Sequence, residues 1–306
     1  MTRAPSGRRG PVIEPADFKR AFERFQDDEM TQRTAAVTYY SLLSLFPALL
    51  FAFAVLGFFG AAGLVTDAAD YLKDVGAPAE TVDAITSALR SAQSQRGTAA
   101  GALVLGLLTS LYGASGAFGS AGFALNEVFR VEEGRGFAKR KLQNLLWTLI
   151  VVVLVVFTCV LVFLGGGLAE DVLGLIGLGD SISEVWSIVR WPAALLSAML
   201  IYAIVYYAAP NVRIRRWQYI TPGAVFGVLA WILASLGFFF YVSTFATYSA
   251  TYGAFATVVI LLIWLWITNA VLLFGAELNA VIDLRRTPNA DDDGGPVLPP
   301  KEPADR

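Results

Sequence analysis

Apolar residues are gathered along this chain into long blocks, and six of the blocks approach the roughly 20 residues that an α-helix needs to cross a bilayer core. They cover about 36–60, 99–120, 144–168, 191–209, 220–246 and 254–279. Leu145 through Leu164 in the third carries no charge. Its valines favour strands elsewhere, but 20 unbroken apolar residues are too many for one strand. Thr221-Pro222 opens the fifth as an N-cap followed by proline at the first helical position, where the missing N–H costs nothing. The pattern predicts an all-α, polytopic membrane protein with six transmembrane helices.

Between the blocks the pattern changes. Phe18, Phe22 and Phe25 recur on one helical face within 14–30, with Lys19, Arg20 and Arg24 elsewhere. This predicts a short helix that either lies on the membrane surface or docks on the bundle. In the first outer loop, Val65, Ala68, Leu72 and Val75 share one face and Val82, Ile85, Leu89 and Ala92 another, with Pro78 near the break. Two amphipathic helices fit there, resting on the outer leaflet or capping the bundle. Residues 1–13 and 285–306 lack an apolar pattern and read as disordered tails around a membrane domain over 14–284. The first block is too long for the apolar region of a cleaved signal and reads as a retained helix.

Composition agrees with the blocks. Of 306 residues, 56% are hydrophobic and 16% charged, and the mean hydropathy is +0.59, too apolar for an ordinary soluble chain. Positive charge is strongly sided: the segments before the first block, at 121–143, at 210–219 and after the last block hold 19 of the 23 Lys and Arg residues. The positive-inside rule therefore places both termini in the cytoplasm, which requires an even number of spans. The net charge of −2 gives no global field to attract nucleic acid.

Several chemistries are disfavoured. Histidine is absent, and the single cysteine, Cys159, sits in an apolar block, so zinc ligation, histidine acid–base work and an intrachain disulfide lack their side chains. The sequence contains no GxxxxGK[ST] phosphate loop and no charged residue near the middle of any block. No catalytic residue, metal site or cofactor is expected.

The remaining candidates lie on the helices. Gly113, Gly116, Gly119 and Gly122 step by three among alanines and serines, and Gly223 and Gly227 form a GxxxG step; such residues fit close helix packing, a ligand passage or a hinge. Tyr39, Tyr40, Ser44 and Pro47 make the first span unusually polar, and with Tyr112 they fit either interhelical hydrogen bonding or the lining of a cavity. Asn269, Glu277 and Asn279 close the sixth span. An acid there is costly unless paired, and Arg33, Arg213, Arg215 and Arg216 are its candidate partners; the alternative is a substrate or ion contact.

The blocks Arg33-Thr34-Ala35-Ala36-Val37-Thr38-Tyr39-Tyr40-Ser41-Leu42-Leu43-Ser44-Leu45-Phe46-Pro47, Tyr252-Gly253-Ala254 leading into Leu262-Ile263-Trp264-Leu265-Trp266, and Gly275-Ala276-Glu277-Leu278-Asn279-Ala280 together resemble the YihY/virulence factor BrkB family, over about 18–284. Ala209-Pro210-Asn211 looks like the family's short cytoplasmic turn. The resemblance implies a six-helix bacterial inner-membrane protein, linked loosely to envelope resistance or to lipid or solute export. Some members once carried a tRNA-processing ribonuclease label, which a chain without histidine or clustered metal-binding carboxylates argues against. The expectation is a transporter or flippase-like protein for a lipid or amphiphilic envelope component, with membrane lipids as partners. The alternative is a non-transporting scaffold with an envelope protein partner.

Overall fold

The computed structural model describes residues 13–58, 82–83, 86–87, 99–163, 181–212, 221–244 and 247–286, and those in regular structure are helical. In chain order the helices are α1 Pro15–Asp27, α2 Met30–Phe58, α3 Ala99–Val128, α4 Phe137–Phe163, α5 Ser181–Ala208, α6 Pro222–Thr244 and α7 Thr247–Arg286. Among the described residues four helical stretches are long and apolar enough to cross a membrane: Phe137–Cys159, Ile188–Ala208, Pro222–Val242 and Val258–Arg285.

Helix ends follow local chemistry. Pro15 occupies the first position of α1, and the Glu14 N–H donates to the Asp17 carboxylate at 2.9 Å. Thr221 caps α6 as its sequence predicts, its hydroxyl accepting from the Ala224 N–H at 3.1 Å. Among the described residues two that are not glycine have positive φ, Glu29 (53°) and Arg130 (54°). Glu29 turns the chain from α1 into α2, and Arg130 ends α3.

The chain forms two compact units, Met1–Thr38 with Phe118–Arg306, and Tyr39–Ala117. In the first, α7 packs on α6 and α1, and α5 packs on α4 and α6. Its core joins Met30 and Val37 of α2, Leu125 and Val128 of α3, Tyr202 and Tyr206 of α5, Val228 of α6 and Leu273 of α7. Polar contacts tie the helices where lipid supplies no hydrophobic drive between them. Tyr206 donates to the Leu272 carbonyl at 2.7 Å, Trp231 to Thr268 at 3.1 Å, and Thr158 to Ser197 at 2.8 Å. Leu229, Leu233, Leu236 and Phe240 of α6 remain exposed at helical spacing, as a lipid-facing strip requires.

The structure corrects four sequence expectations. The basic segment at 121–143 is mostly helix: α3 continues to Val128 and α4 begins at Phe137, so Lys139, Arg140 and Lys141 ride on the first turns of α4. α5 begins at Ser181, ahead of the block read at about 191–209, so that Pro192 lies inside it. The buried stripe of α1 is centred on Asp17 and Ala21, whereas Phe22 is 54% exposed; each residue turns the helix by about 100°, which carries Phe22 off the stripe. Of the two readings left open for α1, docking is matched by its packing on α7. Of the first outer loop, only Val82, Asp83, Thr86 and Ser87 are described; they are helical, with Val82 buried. Arg285 and Arg286, assigned by sequence to the disordered C-terminal tail, instead form the last turn of α7; the rest of that loop, residues 1–12 and 287–306, and Arg213, Arg215 and Arg216 lie outside the described residues.

Candidate functional site

Glu277 is fully buried within α7, where an unpaired carboxylate would be prohibitively costly. Its partner is Arg24 of α1, whose Nε–H donates to Glu277 Oε2 at 2.8 Å. This corrects the sequence-based choice: Arg33 instead pairs with Glu127 at 2.9 Å and donates to the Asp28 carbonyl at 3.1 Å. Arg24 wins because α1 docks beside α7 and carries its guanidinium inward from the buried stripe.

A network grows from that pair. Arg24 also donates to the Val128 carbonyl at 2.7 Å and approaches the buried Asp28 carboxylate at 3.9 Å. Arg130 donates to Asp28 at 2.6 Å and to Glu127 at 3.1 Å. Arg24, Arg33 and Arg130 thus balance Asp28, Glu127 and Glu277. Glu277 Oε1 finds no protein donor among the described residues. The two left-handed residues flank the network: Glu29 follows Asp28, and Arg130 is its partner. Among the described residues no three His, Cys, Asp or Glu side chains are grouped to hold a metal ion.

Asn279, two residues on, serves the start of α6. Its Oδ1 accepts from the Gly223 N–H at 2.7 Å and its Nδ2 donates to Thr221 at 2.9 Å. With Pro222 lacking a donor and Ala224 bound to Thr221, the first turn of α6 is satisfied. Asn269 donates to Thr38 at 3.1 Å, in a buried bond between α7 and α2. The predicted glycines stand where other groups come close. A β-carbon on Gly119 would lie 2.7 Å from Asn144 Nδ2, one on Gly122 2.6 Å from the Ala209 carbonyl, and one on Gly227 2.8 Å from the Tyr202 ring. On Gly223 it would fall on the Gly275 carbonyl.

The second unit holds the other candidates. Gly113 faces the Ser44 backbone, and a β-carbon on Gly116 would lie 3.1 Å from the Tyr40 ring, so α2 and α3 meet there along small residues. Ser44 turns its hydroxyl to the Ser41 carbonyl at 2.7 Å. Tyr39, Tyr40 and Tyr112 remain 58%, 43% and 65% exposed, and the first two rings pack edge to face at 5.4 Å. Pro47 lies within α2, but its side chain is outside those described.

Sequence reasoning missed Arg24, Asp28, Glu127 and Arg130, although Arg24 and Asp28 stand four apart on the buried stripe, a signal obscured by the phenylalanines. It also missed a polar clamp at 126–135 and 209–211. Asn126 accepts from the Asn211 N–H at 2.6 Å, Asn211 donates to the Glu132 carbonyl at 3.0 Å, and Arg135 donates to the Ala209 carbonyl at 3.0 Å, closing the end of α5. Arg135 grips both oxygens of Glu133, at 2.8 and 2.7 Å. These hydrogen bonds hold the Glu133 carboxyl down at about 2, against partial burial, with the Arg135 N–H, its charge and Asn126 adding to the effect.

Comparison with known proteins finds relatives along most of the chain. A family model described as "Virulence factor BrkB" matches residues 21–297. A ribonuclease-like protein, YfkH, of Bacillus subtilis (strain 168) is 31% identical over 272 residues, covering 88% of this chain and 96% of that protein. A UPF0761 membrane protein of Alkalilimnicola ehrlichii is 28% identical over 267 residues, covering 85% of this chain; the match spans only 56% of that relative's length. Another, from Aeromonas salmonicida (strain A449), is 26% identical over 269 residues, covering 85% of this chain and 87% of its own. No solved structure matches.

Proposed function

Because the chain belongs to the virulence factor BrkB family of membrane proteins, we propose that it crosses the bacterial inner membrane six times with both termini in the cytoplasm and moves a lipid or amphiphilic envelope component. The carrying observation is the second unit: Tyr39, Tyr40 and Tyr112 stay accessible beside the seam where Gly113 and Gly116 meet Ser44 and Tyr40. Tyrosines offer an apolar body with a polar tip, the combination an amphiphile's chain and headgroup can both use. The reading is non-enzymatic, and the ribonuclease-like name is the Bacillus relative's, not this chain's. Sidedness rests on the distribution of Lys and Arg.

Reconstitution tests this. In proteoliposomes carrying a panel of fluorescent lipids and amphiphilic solutes, the chain speeds movement of at least one class, and Tyr40→Ala slows it while the chain stays folded. Vesicles indistinguishable from empty ones across the panel would reject transport. The second reading, a scaffold that organises envelope proteins, is favoured by the close contacts at Gly119, Gly122 and Gly223; a stoichiometric partner copurifying with an inactive chain supports it.

A further inference from the structure

The contacts of α1 with α7 run in opposite directions along the two helices. Arg285 meets Glu14 at 2.8 Å and Asp17 at 3.1 Å, Ala21 is buried with Leu278 and Val281, Arg24 meets Glu277, and Phe25 lies 6.0 Å from Phe274. From Asp17 to Arg24 a helix rises about 10 Å, and from Glu277 to Arg285 about 12 Å. Two ionic clasps therefore fasten α1 antiparallel along the end of α7, one near each end of the shorter helix.

We propose that α1 is a releasable strap, held by the Arg285 and Arg24 clasps and able to come away from α7 while the rest of its unit stays packed. The inference stands whether or not anything is transported. Its apolar attachment is thin: Ala21 is the fully buried apolar side chain of α1, while Phe18, edge-on to Phe226 of α6 at 5.0 Å, and Phe25 are only partly covered. At the α6–α7 contact, by contrast, Ala224, Val228, Leu273 and Ala276 are all fully buried. One arm of the Arg285 clasp lies within reach of salt, Glu14, which is 43% exposed, whereas Asp17 and Glu277 are buried and are screened much less. The Arg24 clasp is also incompletely satisfied, since Glu277 offers a second buried oxygen that no protein donor among the described residues meets.

A pivot lies where a strap needs one. Asp28 and Glu29 separate α1 from α2, Glu29 already has left-handed backbone, and Arg130 anchors the Asp28 carboxylate from α3's end. Release of both clasps leaves that anchor in place, so the helix swings about a fixed end.

Thiol accessibility in the full chain, reconstituted in liposomes on a Cys159→Ser background, tests the strap. Ala21→Cys reports on α1, and Ala224→Cys, in the α6–α7 contact, reports on the packed unit. With both clasps intact, maleimide reaches each slowly. With Arg24→Gln and Arg285→Gln combined, Ala21→Cys reacts on the order of tenfold faster while Ala224→Cys keeps its protection. With Arg24→Gln alone, which leaves the Arg285 clasp and its exposed Glu14 arm, raising salt to about 1 M, which shortens electrostatic reach to about 3 Å, accelerates Ala21→Cys labelling further. Unchanged Ala21→Cys labelling in both experiments overturns the proposal, as does fast labelling with the clasps intact or parallel exposure of Ala224→Cys.

Discussion

Gly223 and Gly275 stand back to back across the contact of α6 with α7: a β-carbon on the first would fall on the carbonyl of the second, and one on Gly275 would lie 2.7 Å from the Gly223 carbonyl and against the Tyr206 hydroxyl. Two membrane helices come this close only where both lack a side chain. The approach also brings Asn279 within reach of the Gly223 N–H.

Glycine substitutions should therefore separate by what they meet. Gly223→Ala strikes backbone, which cannot rotate away, and should cost about 3 kcal/mol or more. Gly227→Ala strikes the Tyr202 ring, which can shift, and should cost about 1–2 kcal/mol. Gly237→Ala meets nothing within 4 Å and should gain up to about 1 kcal/mol of helix propensity. Thermal unfolding in detergent, followed by tryptophan fluorescence, orders the three; equal midpoints for Gly223→Ala and Gly237→Ala would sink the packing argument.

Removing one member of the Arg24–Glu277 pair strands the other's charge in a buried site. Glu277→Gln should destabilise by about 3 kcal/mol and Arg24→Gln by somewhat more, because Arg24 also serves the Val128 carbonyl and Asp28. The double variant should cost clearly less than the two losses added together. A double-mutant cycle in the same unfolding assay measures the difference, and strict additivity would show that the two side chains do not act as a pair.

Apolar block length made the long helices legible, because crossing a bilayer imposes a scale that sequence alone displays. Helix ends were less so: the sequence placed Lys139 to Lys141 in a loop because their charge interrupts the apolar block, yet a helix can continue past the apolar region with its charged turns outside. The partner of Glu277 was illegible for a different reason. Charge and sidedness leave Arg24 and Arg33 equivalent; only the docking of α1 separates them, and that depends on Ala21 and Asp17, which carry weak sequence signals. Thr221-Pro222 shows the opposite case, a cap whose chemistry is local and complete in two residues.

Asn279 closes the first turn of α6 from another helix. Asn279→Ala leaves the buried Gly223 N–H without its acceptor and should cost about 1–3 kcal/mol. Asn279→Asp keeps an acceptor for Gly223, and the Thr221 hydroxyl can donate to it, so the first turn should stay locally protected even though a second buried carboxylate lowers overall stability. Hydrogen exchange at Gly223 and Ala224 reads this locally. Equal exchange in the alanine and aspartate variants would remove the capping role.

The Glu133–Arg135 fork gives the clamp at 126–135 and 209–211 a defined acid limit. With its carboxyl near 2 in the folded chain against an ordinary 4.5, Glu133 is ionised and fully stabilising above about pH 4.5. Protonation removes that contribution as pH falls from about 4.5 towards 2, because the unfolded chain binds the proton first. Arg135 then loses its carboxylate, and the Ala209 carbonyl its best-held donor. Hydrogen exchange of 129–136 and 209–212, corrected for intrinsic rates, should therefore quicken across that window. In Glu133→Gln the same amides should be less protected at pH 7 and nearly flat below pH 4.5; a variant that keeps the parent's acid transition would assign the titration to another group.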